Sequence, residues 1–365
     1  MGFGGTVLVT GAGGFIGHHL VNLLAAAGYR VRGADIRYPE YEESAAHEFW
    51  QCDLRNAADC LAVTRGVTEV YSLAANMGGI EFISTNKSTI VRDNTLIDIQ
   101  MLEAARQNGV SQFLYTSSAC VYPVHLQNRP DVGPPLREDN AYPADAEDGY
   151  GWEKLYIERV CRHYTEGFGL PTRVARLHNV FGPLGSYDGG REKSPAALCR
   201  KIALAQDGDE IEVWGDGEQV RSYCYVADCV DGLHRLMRSG WPEPLNLGQT
   251  RTVTINQLVD MIAGIANKRI HKRYDPTRPQ GVRGRSSDNT AIRRVLGWEP
   301  VISLEIGLEL TYRWIAAQVA DRVTDRVARD MAIASAPTNG AAHWMTSGDG
   351  QGNGKAIDAT VQPLD

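Results

Sequence analysis

No apolar run in this 365-residue chain approaches the roughly 18 residues of a membrane-spanning helix, so the sequence offers no transmembrane segment. There is no surplus of positive charge either. Lys and Arg number 37 against 44 Asp and Glu, a formal net charge of −7 with a pI of about 5.8, which argues against nonspecific binding to nucleic acid or anionic membrane. Cysteine is sparse: the seven residues at 52, 60, 120, 161, 199, 224 and 229 form no C-x-x-C pair and are odd in number. That pattern suggests neither a disulfide framework nor a zinc site, so no metal is expected and a reducing, cytoplasmic setting fits. A strand pattern starts at Thr6 with no secretion signal before it, and no internal repeat is evident.

The length exceeds what one compact core usually organises. The expected division is a nucleotide-binding domain over 1–178, to which later segments return, and a smaller, mainly substrate-binding α/β domain over 179–331. The stretch 335–365, rich in Gly, Ala, Thr and Asp without periodicity, reads as a disordered tail.

The β-branched run Thr6 to Thr10 stops at Gly11-Ala12-Gly13-Gly14-Phe15-Ile16-Gly17, and helical periodicity follows over His18 to Ala27. Glycines at 11, 14 and 17 suit a tight turn, close approach of a pyrophosphate to backbone, and close packing of helix on strand. Phe15 and Ile16 lie between them at the helix start. A second strand, Arg30 to Ile36, carries Asp35 near its end, where an acidic side chain takes ribose hydroxyls and disfavours a 2′-phosphate; Arg37 pulls the other way. The balance predicts NAD. Asp53, with Leu54 after it, is placed at the adenine end of the cofactor or, equally, bonds its own loop. Val67 to Ala75 reads as a fourth strand, putting Ala74 and Ala75 at its end before the small residues of Met77-Gly78-Gly79. Ser88 to Asn108 is a long helix containing Asn94, which is assigned to the cofactor, and Gln112 to Ser118 is a fifth strand. Pro123 to Gly149 reads as a long loop, Tyr150 to Phe168 as a helix, Pro171 to Leu177 as a sixth strand. Another helix opens at Pro195, and a last one runs from near Leu304 to about Met331. Strands alternating with helices, without hairpin signals, predict a doubly wound parallel sheet of the Rossmann kind with ligands at its carboxyl edge.

Tyr150 and Lys154 leave one helix face a turn apart, so an ammonium can favour the phenolate of a tyrosine that acts as acid and base. With the glycine turn and Ser118 they form a consistent redox site.

These motifs resemble the extended short-chain dehydrogenase/reductase superfamily of nucleotide-sugar enzymes. Further segments bring the chain closer to the GDP-mannose 3,5-epimerase family: Met77 to Gly79, Ser117 to Pro123, Arg176 to Asn179, Gly189 to Lys193, Trp214 to Gly217 and Gly281 to Asn289. The resemblance covers about residues 5 to 320 and implies tightly held NAD, a GDP-hexose substrate and a homodimer paired through the helices over 88–108 and 150–168. It implies Tyr150 as redox acid/base, Lys154 as the residue lowering its pKa, Ser118 as a hydrogen-bond partner of the sugar C4 oxygen, and Cys120 with Lys193 as an epimerising acid/base pair. Met77, Gly78, Gly79, Asn179, Glu192, Lys201, Gln219, Arg221 and Arg285 become substrate contacts.

The implied chemistry is coherent. A C4 ketone acidifies the C–H bonds at C3 and C5 by delocalising the resulting charge as an enolate, and one group removes the proton while another supplies it from the opposite face. In extended chain, Cys120 points to the same side as Ser118. A 4,6-dehydratase would carry an Asp-Glu pair where this chain has Ala119-Cys120. A 4-epimerase would leave Cys120 and Lys193 idle, and a silent NAD-binding scaffold would not need Tyr150 and Lys154.

Overall fold

The computed structural model describes residues 5–128 and 133–334; the expected tail at 335–365 lies outside the described residues. The described residues up to Asp321 form one compact unit, and the described residues from Arg322 belong to a second. In chain order the elements are β1 (Thr6–Thr10), α1 (Phe15–Ala26), β2 (Arg30–Asp35), β3 (Glu48–Gln51), α2 (Ala57–Thr64), β4 (Val67–Ser72), α3 (Ile80–Thr85), α4 (Lys87–Gln107), β5 (Gln112–Ser118), α5 (Val124–Gln127), α6 (Asp148–Phe168), β6 (Thr172–Leu177) and β7 (Val180–Phe181). There follow α7 (Ser194–Leu204), β8 (Glu210–Trp214), β9 (Val220–Ser222), β10 (Cys224–Tyr225), α8 (Val226–Arg238), β11 (Leu245–Leu247), β12 (Thr252–Thr254), α9 (Ile255–Ala266), β13 (His271–Asp275), β14 (Gly284–Arg285), α10 (Thr290–Leu296) and α11 (Leu304–Ala334).

Seven strands make the main sheet in the order β11-β6-β5-β4-β1-β2-β3, every pairing parallel. The doubly wound α/β expectation holds. Alternate residues along a strand face opposite layers, and the core divides accordingly. Val7, Val9, Tyr71 and Leu114 pack with Leu20 and Leu24 of α1 and Leu233 and Leu236 of α8. Leu8, Val70 and Phe113 face the other way, onto Met101 and Leu102 of α4 and Ile157 and Cys161 of α6. The order reverses between β1 and β4, so a crevice opens at their carboxyl ends.

Two glycines make that crevice. Gly11 has φ +68°, a left-handed conformation suited to glycine, and a Cβ there would sit 2.9 Å from the Ala74 nitrogen. At Gly17 a Cβ would fall 2.0 Å from the Gly11 carbonyl oxygen, so α1 meets the turn only because position 17 lacks a side chain.

Several boundaries differ from the sequence reading. The fourth strand ends at Ser72, not Ala75: the Thr10 hydroxyl oxygen takes the N–H groups of Leu73 and Ala74, at 3.0 and 3.1 Å, turning the chain across the sheet edge. The segment after Pro123 is not one long loop, since it contains α5 and a 3₁₀ turn over Glu138–Ala141. Helix α6 starts at Asp148, two residues earlier than expected, and ends at Gly169, whose φ of +72° makes a left-handed cap. Beyond β6 the small sheets β10-β7, β12-β9-β14 and β13-β8 carry the later motifs, and β11 returns to the main sheet beside β6.

Candidate active site

A cavity of about 1090 Å³ runs along the carboxyl edge of the sheet. Its walls include Gly11, Gly14, Phe15, Ile16, Gly17, Asp35, Asp53, Leu54, Ala74 and Ala75 at one end. Further along are Met77, Gly78, Gly79, Ser118, Cys120, Tyr150 and Lys154, then Asn179, Glu192, Lys193, Lys201, Gln219, Arg221 and Arg285 from the later segments. Thus all the sequence-predicted site residues but one line a single space. The exception is Asn94, which is fully buried behind the wall; its amide oxygen accepts the Asn76 N–H at 2.7 Å and its amide nitrogen donates to Glu153 at 3.4 Å. It shapes the wall instead of facing the cavity.

The cofactor end fits a dinucleotide. The glycine turn presents backbone that a Cβ would obstruct: at Gly13 it would fall 2.1 Å from the Arg37 carbonyl oxygen. Asp35 accepts from the Gly13 N–H at 3.0 Å and from the Arg37 N–H at 3.2 Å, and burial raises its carboxyl pKa. Asp53 lines the cavity while bound to Arg55, whose guanidinium donates to it at 2.6 Å and whose backbone N–H donates at 3.0 Å.

At the centre, α6 delivers Tyr150 and Lys154. A buried ion pair between Glu158 of α6 and Arg176 of β6, at 2.7 Å, anchors the helix to the sheet; removing one partner would strand a buried charge, at a cost of about 3–5 kcal/mol. The Lys154 Nζ lies 5.8 Å from the centre of the Tyr150 ring. Burial raises the Tyr150 pKa and Lys154 opposes it, with a hydrogen bond involving Ser118 adding to the opposition; burial wins. The lysine acts in the expected direction, but burial outweighs it, and Tyr150 holds its proton more firmly than an ordinary tyrosine. Lys154 is itself buried, yet Asp98 at 3.3 Å and Glu153 at 3.7 Å hold its pKa above the usual lysine range. The sequence reading missed both carboxyls. Asp98 comes from α4, 56 residues earlier, and no local pattern connects it with Lys154.

Cys120 does not continue β5 as extended chain. Ala119–Val121 is a 3₁₀ turn in which the Cys120 N–H donates to the Ser118 hydroxyl at 3.2 Å, and this turn brings Cys120 to the cavity wall. Its carbonyl accepts the Glu147 N–H at 2.9 Å, and a Cβ on Gly151 would come within 2.2 Å of that same oxygen. A glycine beside the catalytic-type tyrosine therefore lets α6 close on the cysteine turn. Burial raises the Cys120 thiol pKa, partly offset by Arg285 at 3.4 Å.

Lys193 precedes α7 as its N-cap residue, with Pro195 opening the helix. Gly79 donates its N–H to the Arg191 carbonyl at 3.0 Å, and a Cβ at Gly79 would lie 2.4 Å from the Glu192 carbonyl, so the two segments meet backbone to backbone. The Arg191 guanidinium lies 3.9 Å from the centre of the Phe82 ring and donates to Met77 and Asn76. The Lys193 side chain is open to cavity water yet surrounded by protein, which lowers its pKa, while Cys120 is near enough to raise it somewhat.

Other predicted substrate contacts are tied to the framework. Asn179 donates to the Ser222 carbonyl at 3.0 Å, Lys201 to the Glu212 carbonyl at 2.8 Å, and Arg221 to backbone carbonyls including Val282 at 2.5 Å. Glu192 accepts from Gly190 and Arg200. Burial lowers the Arg221 pKa to about 10, the neighbouring Arg285 adding to the effect. Among the described residues two buried acceptors on this wall lack a partner, the Gln219 amide oxygen and the His178 Nδ1. Each is a place where a ligand donor would restore a missing hydrogen bond. No cluster of three or more His, Cys, Asp or Glu among the described residues is arranged to hold a metal, and no described helix is long and apolar enough to cross a membrane.

Comparison with known proteins agrees with this geometry. The NAD dependent epimerase/dehydratase family matches residues 7–248. The chain belongs to this family. Within reach of this epimerase/dehydratase, a protein of Oryza sativa subsp. japonica named GDP-mannose 3,5-epimerase 1 is 45% identical over 323 residues, covering 88% of this chain and 84% of the relative. The UDP-glucose 4-epimerase of Thermotoga maritima, solved with UDP-glucose, superimposes with a TM-score of 0.78 at 27% identity over 86% of this chain and 99% of that one. The Bacillus cereus UDP-glucuronic acid 4-epimerase, solved with UDP-glucuronic acid and NAD, gives 0.73 at 25% identity over 86% and 99% of the two chains.

Proposed function

We propose that this epimerase/dehydratase is an NAD-dependent isomerase of nucleotide sugars that converts GDP-mannose to GDP-galactose, and also to GDP-gulose, through a transient 4-keto sugar. The observation that carries the reading is the presence of Cys120 and Lys193 in the same cavity as Ser118, Tyr150 and Lys154. A 4-epimerase has no use for that additional pair. The fold does not discriminate, since 4-epimerases share it.

NAD, bound along Gly11 to Gly17 with Asp35 toward its adenosine ribose, would accept the C4 hydride and later return it. The chain's own residues do the rest. Tyr150 takes the C4 hydroxyl proton and Ser118 hydrogen-bonds the C4 oxygen. Burial keeps the proton on Tyr150, so its service as a base requires added positive charge, which Lys154 gives in part and oxidised NAD, when bound, would increase. With C4 a carbonyl, one of Cys120 and Lys193 removes a proton from the adjacent carbon and the other supplies one from the opposite face. The raised thiol and lowered ammonium pKa values bring the two groups toward each other, which eases exchange in both directions. Gln219, with its orphaned amide oxygen, and Arg285 are assigned to the substrate. Asn179, Lys201 and Arg221 hold the wall around it.

Incubation with GDP-mannose in deuterated water tests the assignment: label enters C3 and C5. C4 inversion with no label at either carbon would instead establish a 4-epimerase. Cys120→Ala is expected to lose exchange by at least about 100-fold while retaining bound NAD; wild-type turnover would remove Cys120 from the mechanism. We also assign the protein to the cytoplasm, where its free cysteines stay reduced, and to a homodimer through α4 and α6, on which Leu96, Trp152 and Tyr156 are exposed.

A further inference from the structure

Glu147 has no part in the chemistry derived so far, yet it is joined to Cys120 in two ways. Its backbone N–H holds the Cys120 carbonyl at 2.9 Å, and its carboxylate is near enough to the thiol for the two to influence each other's ionisation. Both groups address one cation. The Arg285 guanidinium donates to the Glu147 carboxylate through one nitrogen, to the Cys120 sulfur at 3.4 Å through a second, and to the Gln127 amide oxygen at 2.6 Å through Nε. Glu147 and Arg285 are both largely shielded, with side-chain exposures of 19% and 10%. Charge interactions there are screened less than at a surface.

We propose that Glu147 is a positioning residue for Cys120, competing with the sulfur for the Arg285 guanidinium and so deciding whether Cys120 stands as a thiol or a thiolate. The inference rests on the reading of Cys120 as an acid/base group. With Glu147 ionised, the guanidinium already has its counter-anion, and ionising the thiol would add a second anion to one cation. If the carboxylate is neutralised or drawn away, the thiolate becomes the partner of Arg285. The other groups around the sulfur are Ser118 at the end of β5, Tyr150 of α6, Lys193 before α7 and Arg221 of β9. Lys193 and Arg221 favour the thiolate, and an ionised Tyr150 opposes it. Glu147 is the carboxylate among them, and it alone combines a hold on the Cys120 backbone with a claim on Arg285. A substrate group that engages Arg285 therefore changes the proton on Cys120 through Glu147, without having to touch the sulfur.

The pH dependence of iodoacetamide alkylation at Cys120 measures this directly, because the thiolate is the species that reacts. Full-length protein with bound NAD and no sugar nucleotide is used, and the Cys120 peptide is followed by mass. Glu147→Gln is expected to move the alkylation midpoint to lower pH, a shift of one unit raising the rate at pH 7 about tenfold. Glu147→Asp keeps the charge and should return the midpoint toward wild type. An unchanged or higher midpoint in Glu147→Gln, with NAD content and circular dichroism preserved, overturns the proposal and marks Glu147 as a structural or proton-accepting group. Should that variant not fold, Arg285→Gln decides: the midpoint rises if the guanidinium is shared, and no change refutes the sharing. No sugar enters the measurement, so its failure is separate from failure of the deuterium experiment.

Discussion

Replacing Glu153 by Gln should remove a pH dependence of stability that originates beneath Lys154. Three buried ionisable groups meet there, Lys154, Asp98 and Glu153, with Tyr115 donating to Asp98 at 3.1 Å. One ammonium can balance one carboxylate. Burial raises the Glu153 pKa to about 8, Lys154 opposing and Asp98 adding to the rise. The model-peptide value of an unfolded Glu is about 4.3. Below that pH both states are protonated at this site, and above about pH 8 both are ionised. Between the two, the unfolded chain releases a proton that the folded one keeps, so stability falls as pH rises through this window. The slope is at most about 1.4 kcal/mol per pH unit, or about 4 kcal/mol between pH 5 and 8. Urea unfolding of wild type and Glu153→Gln at pH 5, 6, 7 and 8 measures it as a difference, in which contributions from other groups cancel. The variant should gain on the wild type steadily across that range. A constant gap between the two curves would refute the shared-proton account of the cluster, whatever the absolute stabilities.

Two further outcomes follow from packing. Gly17→Ala places a methyl 2.0 Å from the Gly11 carbonyl oxygen, which should cost about 3 kcal/mol or more and empty the protein of NAD; wild-type urea midpoint and wild-type NAD content would disprove the close-packing role. Trp152 and Tyr156, 48% and 55% exposed on one face of α6, should both be needed for the homodimer, so the double replacement by Glu halves the mass in light scattering; an unchanged dimer would exclude that face.

Much of the site was legible because its parts are local. The glycine turn, Asp35, Ser118 and the Tyr150/Lys154 pair each follow from spacing within one strand, turn or helix, and the resemblance added Cys120, Lys193 and the later segments. The misreadings have a common cause. Lys154 was expected to dominate Tyr150, but burial dominates, and burial depends on what the remote chain covers. Cys120 was expected on an extended strand, but the Ser118 hydroxyl captures its N–H and turns it. Asn94 was assigned to the cofactor, but it faces into the wall, toward Asn76 and Glu153.

Sequence by itself determined the parallel sheet, five of its six leading strands, the dinucleotide turn and the residue types available for chemistry, because hydrophobic period and backbone stereochemistry act over a few residues. Only the tertiary structure decided which charges meet. Asp98 finds Lys154 across 56 residues, Arg285 finds Cys120 across 165, and β11 completes the sheet beside β6 after the substrate segments intervene. Such encounters leave no periodic trace in the chain, yet in a buried site they set the proton on every group that would take part in the reaction.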